Sequence, residues 1–220
     1  MKKHAFIFDM DGVLIDSQPI HYDADIAMMA HFGATVTRQQ IEQYAGMTNP
    51  MRFPIYQKVF HIAADLEDML SYRAEIVRKL FLESHAHAIR GSKALLEQIQ
   101  AAGSPIGLAS STDHALIEWI LQTIGLLPYF DVIVSGEEVP QGKPAPDVYL
   151  EAARQLDVCA QDCFVVEDST NGLRAAKAAG MWVLGYQNPT SGKQDLSLAD
   201  VVTDDFTKVS VKTFLQNNEN

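Results

Sequence analysis

At 220 residues, with 47% apolar and 20% charged side chains, the chain has an ordinary globular composition and the length for one sizeable core plus a smaller insertion. A net charge of -11, with no Lys/Arg cluster and no interleaving of aromatic and basic residues, excludes a nucleic-acid footprint and an anionic membrane surface as natural partners. No apolar run reaches about 18 residues, and the first strand signal starts within five residues of the N-terminus, so neither a membrane-spanning helix nor a secretory signal fits and a cytoplasmic protein is expected.

The first apolar run ends abruptly in Asp9, Met10, Asp11 and Gly12. Two carboxylates at the tip of a buried strand are costly unless a cation or hydrogen-bond donors compensate them, and hard oxygen ligands suit Mg2+. The same residues equally describe a strand followed by an Asp-Gly turn. From about 16 to 83 no strand alternation is visible. Apolar spacing predicts a helix ending near Gly33, a second around 37–44, and others over 54–60 and 66–82, a small helical unit inserted after the first strand.

The main pattern resumes near 88–92. A helix over 93–102 precedes a strand within 105–112, a helix to about 124 and a strand over 130–136. Next come a helix over 146–156, a strand over 163–168, a helix over 173–179, a strand over 182–186 and a short strand at 201–202. Strands alternating with helices predict an α/β fold with a parallel sheet covered on both faces, and ligands in such sheets sit beyond the carboxyl ends of the strands. Asp9, Ser110 and Asp168 all close apolar strands. The connection over 187–199 is the most polar, and 217–220 is expected to fray.

Read locally, these residues have ordinary alternatives. Ser110, Ser111, Thr112 and Asp113 in succession suit a helix N-cap. Glu167 and Asp168 could favour the dipole of the helix that follows. Lys143 could be a solvated lysine, although the two prolines after it give it a rigid setting. Cys159 and Cys163 are too few for a zinc site and read as reduced thiols. His85 and His87 have no partner in sight, and Trp119, Trp182, Met28 and Met29 read as packing residues.

The run Phe-Asp-Met-Asp-Gly-Val-Leu-Ile-Asp-Ser over 8–17 resembles, position by position, the first motif of the haloacid dehalogenase-like phosphohydrolases. Ser110 at a strand end, Gly-Lys-Pro-Ala-Pro over 142–146, and Glu167-Asp168 before Ser-Thr-Asn-Gly over 169–172 are similar to the family's other three motifs, in the same order. The resemblance implies a Rossmann-like core of residues 1–15 and 88–220 and a helical cap of residues 16–87, with hinges near 14–18 and 83–91. It implies Asp9 as nucleophile, Asp11 as general acid/base, Ser110 as a hydrogen-bond donor to the phosphoryl group and Lys143 as the cation that offsets its charge. Mg2+ is assigned to Asp9, Asp11, Glu167 and Asp168, with Glu167 either ligating or orienting a metal-bound water. His21 matches a histidine of the beta-phosphoglucomutase-like branch, a helix-surface position being the alternative. His21, Gly46, Asn49, Arg52, Ser111 (through its backbone N–H) and His114 are the expected substrate contacts.

The implied activity is hydrolysis of a small phosphorylated metabolite, a sugar or polyol phosphate, through an aspartyl-phosphate. Asp11 must carry a proton in the first step, which negative charge nearby would favour and the metal would oppose. A sugar phosphate mutase is the runner-up. Ala45 and Asn49 stand where beta-phosphoglucomutase has Lys and Arg, with Arg52 as the available substitute. A dehalogenase lacks an acid like Asp11, a phosphonate-cleaving enzyme needs a cap lysine where Thr48, Asn49 and Pro50 stand, and a non-catalytic ligand sensor would not need every acid kept. The oligomeric state is left unassigned.

Overall fold

Six strands, β1 (Ala5–Phe8), β2 (Ile106–Ser110), β3 (Val132–Ser135), β4 (Cys163–Glu167), β5 (Trp182–Tyr186) and β6 (Val201–Thr203), form one sheet in the order β3-β2-β1-β4-β5-β6, parallel throughout. The computed structural model describes residues 4–84 and 86–215, so His85 and the tail expected to fray lie outside the described residues. Every residue of β1 is buried. Phe6 and Phe8 join the apolar cluster on one face of the sheet and Ala5 and Ile7 the cluster on the other, the alternation required of a strand covered on both sides.

Helices α5 (Ser92–Ala101), α6 (His114–Thr123) and α9 (Val211–Leu215) supply the first cluster, and α7 (Asp147–Gln155) and α8 (Thr170–Ala178) the second. The order of strands reverses at β1, which lies between β2 and β4, and that reversal opens a crevice at their carboxyl ends. Helix α9 was not expected, because its five residues carry too little pattern; Phe214 anchors it, stacking edge-on against Phe6 with ring centroids 5.0 Å apart.

Among the described residues, four α-helices and a 3-10 turn (Glu42–Tyr44) are inserted between β1 and α5: α1 (Gln18–His31), α2 (Arg38–Ile41), α3 (Asn49–Val59) and α4 (Leu66–Ser84). They enclose an apolar cluster of their own, including Met28, Met29, Phe53, Tyr56 and Met69. The predicted start of α3 at 54 is corrected to Asn49. Pro50 occupies its first turn, where a missing N–H is harmless, and Pro54 interrupts only one bond further on. The two chain crossings between insertion and sheet run side by side: Ile15 pairs antiparallel with Ala88, and the Ile89 N–H donates to the Leu14 carbonyl at 2.8 Å. Ile20 and Ala24 of α1 and Val77 and Phe81 of α4 reach down into the first sheet cluster, so the roots of the insertion pack on the sheet layer.

Candidate active site

The chain leaves β1 with the Asp9 N–H still bonded to the Val166 carbonyl, at 3.0 Å, which fixes Asp9 beside the end of β4. The Lys143 ammonium, almost wholly buried, donates to Asp9 Oδ1 at 2.6 Å, to Glu167 Oε1 at 2.7 Å and to the Ala109 carbonyl at 3.1 Å. Burial works against its charge but is outweighed by Asp9 and Glu167, which hold the lysine well above its ordinary range. The ends of three adjacent strands thus meet at one cation.

Glu167 is fully occupied. Tyr149 donates to Oε1 at 3.1 Å, and Ser169 donates to Oε2 from its N–H at 2.7 Å and from its hydroxyl at 3.0 Å. Asp168 lies beside it, with Ser191 donating to its Oδ2. Gly12, at φ +91°, leaves the room: a Cβ there would come within 2.0 Å of Asp168 Oδ2 and 2.9 Å of Ser191 Oγ. Three buried carboxylates therefore face one ammonium. Burial raises Asp9, and Glu167 and Asp11 add to the rise against Lys143; burial raises Asp168 too, with Glu167 and Asp9 adding to it. Such a surplus of hard, buried oxygen charge fits a divalent cation that takes one or two carboxylates and keeps several waters. Among the described residues no three His, Cys, Asp or Glu side chains converge as a complete cage.

Asp11 is placed apart from this group by its own donors. Ser17 at 2.5 Å and His21 Nε2 at 2.7 Å hold Oδ1, while Thr112 at 2.7 Å and, more distantly, Ser110 at 3.4 Å donate to Oδ2. Burial pushes its carboxyl up, but the neighbouring His21 together with the bonds from His21, Ser17 and Thr112 outweighs burial and holds it below the usual range. The expectation that nearby negative charge favours the protonated form is thus reversed by three donors. His21 is itself fixed: Arg73 can only donate, so Nδ1, 3.1 Å from Arg73 Nη2, is the accepting nitrogen and Nε2 carries the proton toward Asp11.

The inserted helices roof the crevice. Asp25 of α1, buried, takes Arg73 Nε at 2.5 Å and Arg52 Nη2 at 3.3 Å on Oδ1, and Tyr56 at 3.1 Å on Oδ2. Arg52 also donates to Asn49 Oδ1 at 2.8 Å, and its Nε is buried without a bond. Two guanidinium groups thus share one carboxylate in the roof. Below, the Ser111 hydroxyl donates to the Gly46 carbonyl at 2.7 Å.

Asp9, Asp11 and Asp168 line a single cavity of about 50 Å3 together with the expected His21, Gly46, Asn49, Arg52 and Ser111. Ser110 and Lys143 stand just behind it, Ser110 accepting the Thr112 N–H at 3.1 Å. His114 is not brought there. It opens α6 and pairs with Glu138 at 3.0 Å, half-buried on the sheet side of the molecule. Thr112, Ser17 and Arg73 belong to the site and were not singled out from sequence. Arg73 had a usable signal, because it interrupts the buried stripe Met69, Val77, Phe81 at spacing of four.

Residues 6–186 match the family model described as haloacid dehalogenase-like hydrolase. The chain is 30% identical over 224 aligned positions to hexitol phosphatase B of Escherichia coli, covering 96% of each, and 32% identical over 177 to a phosphorylated carbohydrates phosphatase of Thermotoga maritima, covering 80% of this chain and 82% of the relative. In fold it is similar to beta-phosphoglucomutase from Clostridium difficile, with a TM-score of 0.87 at 24% identity over 99% of this chain and 97% of that one.

Proposed function

The chain belongs to the haloacid dehalogenase-like hydrolases, and from that premise we propose that it is a Mg2+-dependent phosphatase of a small sugar or polyol phosphate, of the beta-phosphoglucomutase-like branch, acting through an aspartyl-phosphate on Asp9. The observation that carries this reading is the buried Asp9–Lys143–Glu167 row at the strand ends, with Asp168 beside it. Asp9 and Asp168 are the direct cation ligands in this scheme. Glu167 acts through Lys143, because its oxygens already have donors. When bound, Mg2+ offsets charge on the phosphoryl oxygens.

Lys143 holds Asp9 Oδ1, and Oδ2 attacks phosphorus in line while the ammonium stabilises the shared oxygens. Asp11 faces the leaving oxygen. The arriving phosphate dianion supplies the repulsion that favours its protonated form, so it gives that proton to the departing alcohol. In the second half the ring of Asp11 donors holds it ionised, ready to take a proton from the water that attacks the phosphorus and frees Asp9. Gly46, Ser111, Asn49 and Arg52 contact the substrate from the roof and rim.

The inserted helices serve as a cap. In this reading a sugar phosphate enters and leaves as residues 16–87 swing on segments 14–18 and 83–91, and their return excludes bulk water from Asp9. Among the described residues no helix is long and apolar enough to cross a membrane, and the free thiols of Cys159 and Cys163 suit a cytoplasmic setting.

The purified chain should hydrolyse para-nitrophenyl phosphate and a hexitol or sugar phosphate with Mg2+, lose this activity in EDTA and regain it on adding Mg2+, and lose it permanently as Asp9→Asn. Turnover in EDTA, or by Asp9→Asn, would defeat the scheme. The mutase reading rests on Arg52 and Arg73, whose surplus positive charge could hold a second phosphate. Incubation with beta-glucose 1-phosphate and a bisphosphate primer, followed by 31P NMR, separates the two: glucose 6-phosphate outrunning inorganic phosphate would establish the mutase.

A further inference from the structure

The polar connection after β5 touches three parts of the site that are far apart in sequence. Ser191, buried, donates from its hydroxyl to Asp168 Oδ2. Thr190 donates from its hydroxyl to Asp16, where the chain enters the inserted segment, and its carbonyl accepts from Arg38 of α2. Tyr22 of α1 reaches the Ser191 carbonyl at 3.5 Å, and the Arg38 guanidinium lies 4.4 Å from the centre of the Tyr22 ring. Below them, the Asn188 side-chain amide donates to the Gly12 carbonyl at 3.0 Å while its oxygen accepts the Thr190 N–H at 2.9 Å.

These bonds divide cleanly. Arg38 and Tyr22 ride on the inserted helices, whereas Gly12 and Asp168 belong to the ends of the sheet, and a four-residue stretch joins the two sets. If the inserted helices move away, the Thr190 carbonyl loses Arg38 and the Ser191 carbonyl loses Tyr22 while keeping Gln194 at 3.0 Å, so the strain of opening falls on Thr190, next to the residue whose hydroxyl aims Asp168. We infer that Ser191 is a positioning residue for Asp168, and that residues 188–191 form a clasp through which closure of the inserted helices raises cation affinity. The inference rests on the reading that Asp9 and Asp168 hold Mg2+. Linkage makes it reciprocal: whatever closure adds to cation binding, the cation must add to closure.

The test uses the full chain without substrate. Mg2+ binding is measured by calorimetry, and closure by the rate at which a protease cuts the inserted segment with and without Mg2+. Ser191→Ala should raise the Mg2+ Kd by about tenfold or more, as loss of a group that orients a ligand does. Arg38→Met, an exposed change that removes no proposed cation ligand, should raise the Kd severalfold and abolish Mg2+ protection against the protease, while Arg38→Lys, which keeps a donor for the Thr190 carbonyl, should restore both. The sign is discriminating, because removing a positive charge should by itself tighten cation binding. Wild-type Mg2+ binding by a folded Arg38→Met or Ser191→Ala protein would overturn the clasp. A wild-type chain that binds no Mg2+ would overturn the cation reading, and the clasp with it.

Discussion

Gly172 is small because Glu167 needs the space. A Cβ at that position would stand 1.5 Å from Glu167 Oε1 and 1.9 Å from its carboxyl carbon. The glutamate cannot step aside, since Lys143, Tyr149 and Ser169 hold it on both oxygens. Gly172→Ala should therefore cost about 3 kcal/mol, read from urea denaturation, and remove most of the turnover by displacing Lys143. A stable, active alanine variant would show that Glu167 has a second place to go. At this scale the sequence was most readable where charge met an apolar run, as at Asp9 and Asp168. It was silent on Gly172, Ser17 and Thr112, whose importance lies in contacts across the fold that no local spacing records.

Among the elements, α1 and α4 pack along their length and bury Asp25 against Arg73. Each is a charged residue set into an apolar stripe, and each makes sense only with the other. Arg73→Met leaves Asp25 to Arg52 and Tyr56 and takes the donor from His21 Nδ1, so denaturation should show a loss of about 2–4 kcal/mol, and kcat should fall more than KM rises. An equal fall in stability without that kcat loss would confine Arg73 to a packing role. The strands and most helices were legible because a parallel sheet imposes continuous apolar runs bounded by turns. The start of α3 was not, since its two prolines hide the helical period, and neither was the clasp, because a polar loop carries no period at all.

The whole molecule is strongly acidic, at -11, while the proposed substrate is an anion. Long-range repulsion should slow encounter at low salt, and screening over about 10 Å at 0.1 M should relieve it. At fixed saturating Mg2+, kcat/KM for para-nitrophenyl phosphate should rise as NaCl is raised from about 0.01 to 0.1 M, measured by initial rates. A fall would mean that Arg52, Arg73 and Lys143 govern the approach rather than the overall field.

The adjacency of Ile15 and Ala88 has an architectural consequence. Two chain crossings that are hydrogen-bonded neighbours present the same pair of ends whatever lies between them, so the sheet does not register how long the intervening segment is or what it recognises. The insertion is in effect a cassette with a standard socket: a segment from another member could be transplanted between 15 and 88 without altering the register of any strand. The apolar feet, Ile20, Ala24, Val77 and Phe81, would have to be carried over with the graft to cover the layer they stand on, and so would Ser17 and His21, which hold Asp11 from the inserted side. Recognition can thus vary with the graft as long as the residues that reach Asp11 are kept.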